Sequence, residues 1–173
     1  DAICAANNIQ YWLSYGSLVG TLSRSGFIPW DDDIDICMLR SDVDKLTAAL
    51  KDDPEYQITL VYDWFVKCRQ VRFCSTNSLI PCFVDISIYD RAAENSKRAN
   101  DRLRQLRIEL MDFFEKNENE FRFWKDNPWM FHPDSGLSVQ CGDVDLEAQR
   151  TVVSSAEIDL VQSVFDSFNE KAH

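Results

Sequence analysis

The alternation of apolar and polar positions predicts strands in the first half of the chain and long helices in the second. Apolar runs rich in β-branched residues are typical of strands, whereas apolar positions three and four residues apart are typical of helices. The strand patterns cover residues 11–15, 33–39, 56–62, 64–74 and 82–89. The helical patterns cover residues 2–10, 17–25, 42–51, 91–123 and 155–170.

Strands followed by long helices favour an α+β fold, in which a mixed β-sheet is backed by helices. We expect residues 1–90 to form the core of this fold. Residues 91–173 are expected to form a helical C-terminal part that packs on the core rather than an independent domain. Residues 124–153, which carry proline, glycine and aspartate, favour no regular element.

Composition narrows the possible partners. The chain has 173 residues, of which 45% are apolar, and its net charge is -11. This acidic balance argues against a nucleic-acid partner, because such proteins use basic residues to bind phosphates. It still allows a single nucleotide. No apolar run is long enough to predict a transmembrane helix. The six cysteines form no C-x-x-C pair; we expect reduced thiols and a cytoplasmic location, with disulfides in an oxidising compartment as the alternative.

Candidate chemistry is concentrated in an acidic run at residues 29–36 that leads directly into an apolar strand. Alternate strand residues share a face, so Asp33 and Asp35 are expected on one side, about 7 Å apart, with Ile34 and Ile36 on the other. Carboxylates this close repel one another unless a cation or a proton intervenes. Hard oxygen ligands suit Mg²⁺ or Mn²⁺, which the pattern therefore predicts here.

A second acidic strand follows at residues 83–90, with Asp85 embedded among apolar residues. If the two strands are neighbours, they lie about 4.8 Å apart. Asp33, Asp35 and Asp85 would then converge on one or two metal ions. Two ions held by shared carboxylates serve in-line displacement at phosphorus.

Each of these acids has a simpler interpretation. Asp33 and Asp35 could belong to a solvated acidic turn, and Asp85 could be a buried acid paired with Arg72. Asp31 and Asp32 could cap the strand, orient the metal shell or be solvated, and the sequence leaves these roles open.

Residues 15–20, followed by residues 26–36, resemble the LicD/fukutin-related family of phosphotransferases, which have the nucleotidyltransferase (polymerase-beta-like) fold. The strand at residues 84–90 resembles the third-aspartate strand of that family. These segments occur in the family's order, and the resemblance covers residues 8–90.

The resemblance implies a role for each matching residue. Gly16 and Ser17 correspond to a turn that holds a phosphate at a helix start. Asp33 and Asp35 correspond to two acids that bridge metal ions, and Asp85 to a third acid that shares a metal and can take a proton from the attacking hydroxyl. The implied cofactors are two Mg²⁺ or Mn²⁺ ions.

The resemblance also implies a reaction. A phospho-alcohol group such as phosphocholine passes from a CDP-linked donor, for example CDP-choline, to a sugar hydroxyl of a glycan, and CMP leaves. One alternative is nucleotidyl transfer from an NTP with release of pyrophosphate, and another is a non-catalytic binding module with the same fold.

Basic residues are candidates for the donor phosphates. Family members usually carry a basic pair after the helix turn, where this chain has the single Arg24. Lys67 and Arg69 share a face of the strand predicted at 64–74, where they could neutralise phosphates or be solvated. Beyond residue 90 the chain does not match the family's downstream segments.

Overall fold

The computed structural model describes residues 1–31, 33–77, 79–80, 82–91, 96–131 and 153–172, and every structural statement below refers to them. The strands are β1 (Trp12–Leu13), β2 (Ile34–Leu39), β3 (Tyr56–Asp63), β4 (Cys68–Ser75), β5 (Phe83–Tyr89) and β6 (Trp129–Phe131). The helices are α1 (Ala2–Ala6), α2 (Tyr15–Arg24), α3 (Arg40–Ala49), α4 (Lys97–Lys116), α5 (Arg122–Asp126) and α6 (Ser155–Ala172).

The six strands form one mixed sheet in the order β1-β2-β5-β4-β3-β6. The two acidic strands, β2 and β5, are parallel neighbours in which Asp35 lies opposite Asp85. Strand β4 pairs antiparallel with β5 and places Arg72 opposite Asp85. The α+β class predicted from the sequence is therefore confirmed, and the two acidic strands are neighbours, which was the condition for bringing Asp33, Asp35 and Asp85 together.

Several predicted boundaries were wrong for local reasons. The strand predicted at 64–74 begins only at Cys68, because the Asp63 carboxylate accepts backbone N–H groups of a turn and Lys67 has a left-handed φ of 46°. The helix predicted at 91–123 is divided into α4 and α5; Ser96 caps the start of α4 by accepting the Ala99 N–H at 3.1 Å. The short strand β6 has too few residues to show a period.

The chain forms two compact units. The first contains the described residues of Asp1–Leu60 and Gln70–Arg91, and the second contains Val61–Arg69 with the described residues of 96–131 and 153–172. Strands β3 and β4 each contribute residues to both units. The expected division at residue 90 stays a prediction.

The first unit has an aliphatic core on one face of the sheet. Alternate residues of β2, β4 and β5 bury their side chains against α3, as the strand periodicity requires. The buried members are Ile9, Ile36, Met38, Val43, Leu46, Leu50, Val71 and Ile86. The opposite face of β2 and β5 carries Asp35 and Asp85.

The second unit has an aromatic core. The Phe114 ring is fully buried and lies 4.9 Å from Phe121, 5.0 Å from Trp124 and 5.6 Å from Phe165, between ring centroids. Helices α4 and α6 pack against each other through this cluster.

Two further expectations concern the chain as a whole. No described helix is both long and apolar enough to cross a membrane. The five described cysteines are free thiols, and Cys141 lies outside the described residues.

Candidate active site

Three carboxylates meet where the loop after α2 enters β2. Asp31, Asp33 and Asp35 each offer an oxygen atom, and these atoms lie within 4.8 Å of one another. All three residues are half-buried. We call them the three-acid group. Asp33 and Asp35 were predicted site residues, whereas the role of Asp31 was left open.

Asp31 is the member that sequence reasoning underrated. Its spacing carried a usable signal, because Asp31, Asp33 and Asp35 continue one alternation backward from the strand. The carboxylate oxygen Oδ2 of Asp31 is buried and has no hydrogen-bond partner. Leaving a charged acceptor unsatisfied costs more than an ordinary hydrogen bond is worth, so this atom suits a cation ligand.

Gly16 makes room for this carboxylate. A Cβ atom added at Gly16 would lie 2.2 Å from the Asp31 Oδ2 atom, which is closer than real contacts allow. The second residue of α2 must therefore lack a side chain if Asp31 is to keep its position. The backbone of Gly16 also favours the ionised form of Asp35 and so lowers the pKa of its carboxyl group.

Ser17 and Ser14 fix the backbone of β2 against the start of α2. The Ser17 hydroxyl accepts the Asp35 backbone N–H at 2.8 Å, and the Ser14 N–H donates to the Asp35 carbonyl at 3.1 Å. Between them, Tyr15 has a left-handed φ of 41°, a conformation that costs a non-glycine residue of order 1 kcal/mol. The Gly16–Ser17 turn thus holds the acids in place, and its contact with a donor phosphate stays a prediction.

The electrostatics of the group favour a positive ligand. Burial and the neighbouring carboxylates of Asp33 and Asp31 raise the pKa of Asp35, although the Gly16 backbone opposes this shift. The charged form of Asp35 is therefore disfavoured in the metal-free protein. A divalent cation would reverse that penalty, so these residues fit Mg²⁺ or Mn²⁺ by charge and by donor type.

Asp85 lies beside the three-acid group but is not one of its members. The Arg72 Nε atom donates to the Asp85 Oδ1 atom at 2.8 Å, which is the pairing that the simpler interpretation of the sequence anticipated. Burial raises the pKa of Asp85 to about 6; the charge of Arg72 lowers it, and those of Asp33 and Asp35 raise it. Its role as a metal ligand stays a prediction.

The three predicted phosphate-binding cations make other contacts. The Arg24 guanidinium lies 5.8 Å from the centroid of the Trp30 ring. In the second unit, the buried Lys67 ammonium donates to the Trp64 carbonyl at 2.7 Å, and Arg69 pairs with Asp166 at 3.5 Å. Because Lys67 lies in a turn, the expectation that it shares a strand face with Arg69 was wrong.

Comparison with known proteins identifies the family. Residues 8–156 match the family described as LicD/FKTN/FKRP, nucleotidyltransferase domain. The chain belongs to this family. The match extends beyond residue 90, where the sequence patterns alone gave no correspondence.

Individual relatives match over shorter stretches. Lipopolysaccharide cholinephosphotransferase LicD of Haemophilus influenzae is 30% identical over 108 residues, which are 56% of this chain and 41% of that protein. An uncharacterized protein of Rickettsia prowazekii is 37% identical over 57 residues, 33% of this chain and 21% of that protein. The chain therefore spans about two fifths or less of these relatives' length.

Proposed function

We propose that this chain catalyses the metal-dependent transfer of a phosphocholine-like group from a CDP-linked donor to a sugar hydroxyl of a cell-surface glycan, with release of CMP. The three-acid group, with its buried and unpartnered Asp31 oxygen, is the observation that carries the proposal. Membership of the LicD family and the name of the Haemophilus influenzae relative support the choice of reaction and substrates.

Asp31, Asp33 and Asp35 would hold one Mg²⁺ or Mn²⁺ ion, and we propose that Asp85, which lies opposite Asp35 in the β2–β5 register, would help to hold a second. When bound, divalent cations lower the pKa of an acceptor hydroxyl and stabilise the charge that develops on phosphate oxygens. These four carboxylates, of which Asp85 is paired with the Arg72 guanidinium, make this region negative, which favours cation binding before an anionic donor can approach.

Asp85 is the proposed base. Its pKa of about 6 keeps most of it ionised at neutral pH, yet close enough to the working pH to take a proton. The acceptor oxygen forms a new bond to the phosphorus atom that carries the alcohol, and its proton passes to Asp85. The bond from that phosphorus to the bridging oxygen of the CMP moiety breaks, and the electron pair leaves with CMP.

Gly16 and Ser17 have a defined part in this scheme. They hold Asp35 through its carboxylate and its backbone, and we propose that the start of α2 also contacts the donor phosphate, as helix N-termini commonly do. Arg24, which lies in the same unit as the three-acid group, remains a proposed phosphate contact and would first have to move away from the Trp30 ring. The phosphate contacts of Lys67 and Arg69 stay predictions.

Product analysis tests the proposal. The protein is incubated with Mn²⁺ and, separately, CDP-choline, CDP-ribitol and CTP, with lipopolysaccharide as the acceptor. Release of CMP from a CDP-alcohol, absent in Asp33→Asn, is the expected result. Release of pyrophosphate from CTP would instead favour nucleotidyl transfer, and Mn²⁺ binding that is absent or unchanged in Asp33→Ala would favour a non-catalytic module.

A further inference from the structure

The ion pair between Arg72 and Asp85 is built more elaborately than a contact between two strands requires. Arg72 lies on β4 directly opposite Asp85 on β5, and their side chains are only 10% and 20% exposed. The Arg72 Nη2 atom also donates to Gln70 Oε1 at 3.0 Å. The guanidinium carbon lies 4.0 Å from the centroid of the Phe83 ring. A planar guanidinium held in this way by neighbours has little freedom to turn.

Holding β4 on β5 does not explain this arrangement. The two strands are already joined along four register positions, and Val71 packs with Ile86 in the aliphatic core. A partly buried ion pair is weak evidence for stability, because removing both charges from water offsets much of their attraction. The pair is better explained by what it does to the carboxylate than by what it adds to the fold.

The surroundings of Asp85 explain why its carboxylate requires a positively charged partner. Its side chain is only 20% exposed, and it lies opposite Asp35 in the β2–β5 register, so carboxylates meet here. The Arg72 guanidinium contacts Asp85 at 2.8 Å and brings a positive charge to it. Without it, the carboxylate would lose its fixed orientation beside the three-acid group.

We propose that Arg72 is a positioning residue, which holds the Asp85 carboxylate in the one orientation that receives the proton of the acceptor hydroxyl. The inference rests on the proposed function, in which Asp85 is the base. It assigns Arg72 neither to the donor phosphate nor to the cation; Arg72 acts through Asp85.

The chain supplies a matched control at the end of the same strand. Arg40 and Asp90 form an ion pair through two hydrogen bonds of 2.8 and 2.6 Å, with side chains 42% and 31% exposed. This pair joins the start of α3 to the end of β5, outside the three-acid group. Arg40→Gln therefore removes one guanidinium from one aspartate without touching the site.

Kinetics of CMP release from CDP-choline, with Mn²⁺ titrated by calorimetry in parallel, separate the possible roles of Arg72. For Arg72→Gln we expect kcat to fall about 100-fold, the usual effect of a misplaced catalytic group, while KM and the affinity for the Mn²⁺ ion held by the three-acid group stay near wild type. Arg72→Lys should recover part of kcat, and Arg40→Gln should match wild type.

A rise in KM at unchanged kcat would make Arg72 a donor ligand instead. Parallel losses of kcat, Mn²⁺ affinity and melting temperature would make it merely structural, and either outcome overturns the inference.

A second measurement is independent of turnover. Carbon-13 NMR of the Asp85 carboxyl, assigned with Asp85→Asn, should show one narrow resonance in the metal-free wild type and in Arg40→Gln. In Arg72→Gln the resonance should broaden or split as the carboxylate samples several orientations. An unchanged resonance overturns the positioning role. If wild type releases no CMP while the resonance behaves as expected, the proposed reaction fails and the Arg72–Asp85 relation stands.

Discussion

The two units of this protein differ in whether their buried polar side-chain atoms have hydrogen-bond partners. In the first unit, the buried oxygens Ser14 Oγ and Asp31 Oδ2 have no partner, and three carboxylates lie together. In the described part of the second unit, no buried side-chain nitrogen or oxygen lacks a partner. There the Tyr62 hydroxyl donates to Gln162 and the Trp124 indole N–H donates to the Tyr62 carbonyl at 3.1 Å.

This difference fits the proposed function, in which the first unit holds a cation and the second unit contributes stability. Satisfied polar groups and packed rings lower the free energy of the folded state. Unsatisfied and mutually repelling acids raise it, and such groups persist where a ligand compensates for them. Substitutions in the two units should therefore have opposite effects on stability and on activity.

The largest effect is expected from Asp35→Asn. Loss of a metal ligand should lower CMP release by ~10⁴-fold, which corresponds to roughly 5 kcal/mol of transition-state stabilisation. The metal-free variant should nevertheless melt at a higher temperature than wild type, because a neutral amide ends the repulsion that raises the pKa of Asp35. Asp112→Asn, which removes the same charge from the exposed surface of α4, is the control. Wild-type turnover in Asp35→Asn would refute the site.

Phe114→Ala should have the converse effect, which is a loss of stability rather than of activity. Its ring is fully buried among Phe121, Trp124 and Phe165. Truncation should lower the free energy of unfolding by about 3–5 kcal/mol, as measured by urea denaturation, because a cavity replaces these contacts. Phe65→Ala is the control, since that ring is 64% exposed and its loss should change little. Equal effects of the two variants would mean that the aromatic cluster is not the core of the second unit.

The contrast between the units also explains what the sequence could predict. Strand alternation is local, so it correctly placed Asp33 and Asp35 opposite Ile34 and Ile36. The β-branched run around Asp85 correctly gave the neighbouring strand. Periodicity is a property of one segment at a time, and these two segments happened to be adjacent in the sheet.

What the sequence missed depends on contacts between distant segments. Asp31 joins the site because its loop approaches Gly16, fifteen positions earlier in the chain. The alternation of Asp31, Asp33 and Asp35 indicated a shared face but not that approach. The pairing of Asp85 with Arg72, which the sequence offered only as an alternative, follows from the β4–β5 register, which the pattern of neither strand determines. Lys67 lies outside β4 because the Asp63 carboxylate accepts the backbone N–H groups of Phe65 and Val66, which form a turn.

Gly16→Ala tests the contact that the sequence missed. The added Cβ atom would force the Asp31 carboxylate to move, so Mn²⁺ affinity should fall by about tenfold, or ~1.4 kcal/mol, in a calorimetric titration. The substitution should not destabilise helix α2, because alanine favours helices more than glycine does. Gly26→Ala is the matched control, since a Cβ there meets no atom within 4 Å. Unchanged Mn²⁺ affinity in Gly16→Ala would exclude Asp31 from the cation site.

The smallest expected effect is a loss of stability of the second unit at alkaline pH. Burial raises the pKa of Tyr62 to about 12, with the charge of Arg69 opposing and those of Asp166 and Asp159 adding to the shift. An unfolded tyrosine loses its proton near pH 10. Above that pH the unfolded state binds fewer protons than the folded state, so the stability that Tyr62 contributes is complete below pH 10 and declines toward pH 12.

Urea denaturation at pH 9.5 and 11 should give free energies of unfolding that differ by about 1 kcal/mol because of this group. Tyr62→Phe should be less stable than wild type at pH 9.5 but should lose less stability at pH 11, because a phenyl ring has no proton to release. An identical decline in the variant would show that the Tyr62 hydroxyl is not protected by burial, and the distinction between the two units would then rest on packing alone.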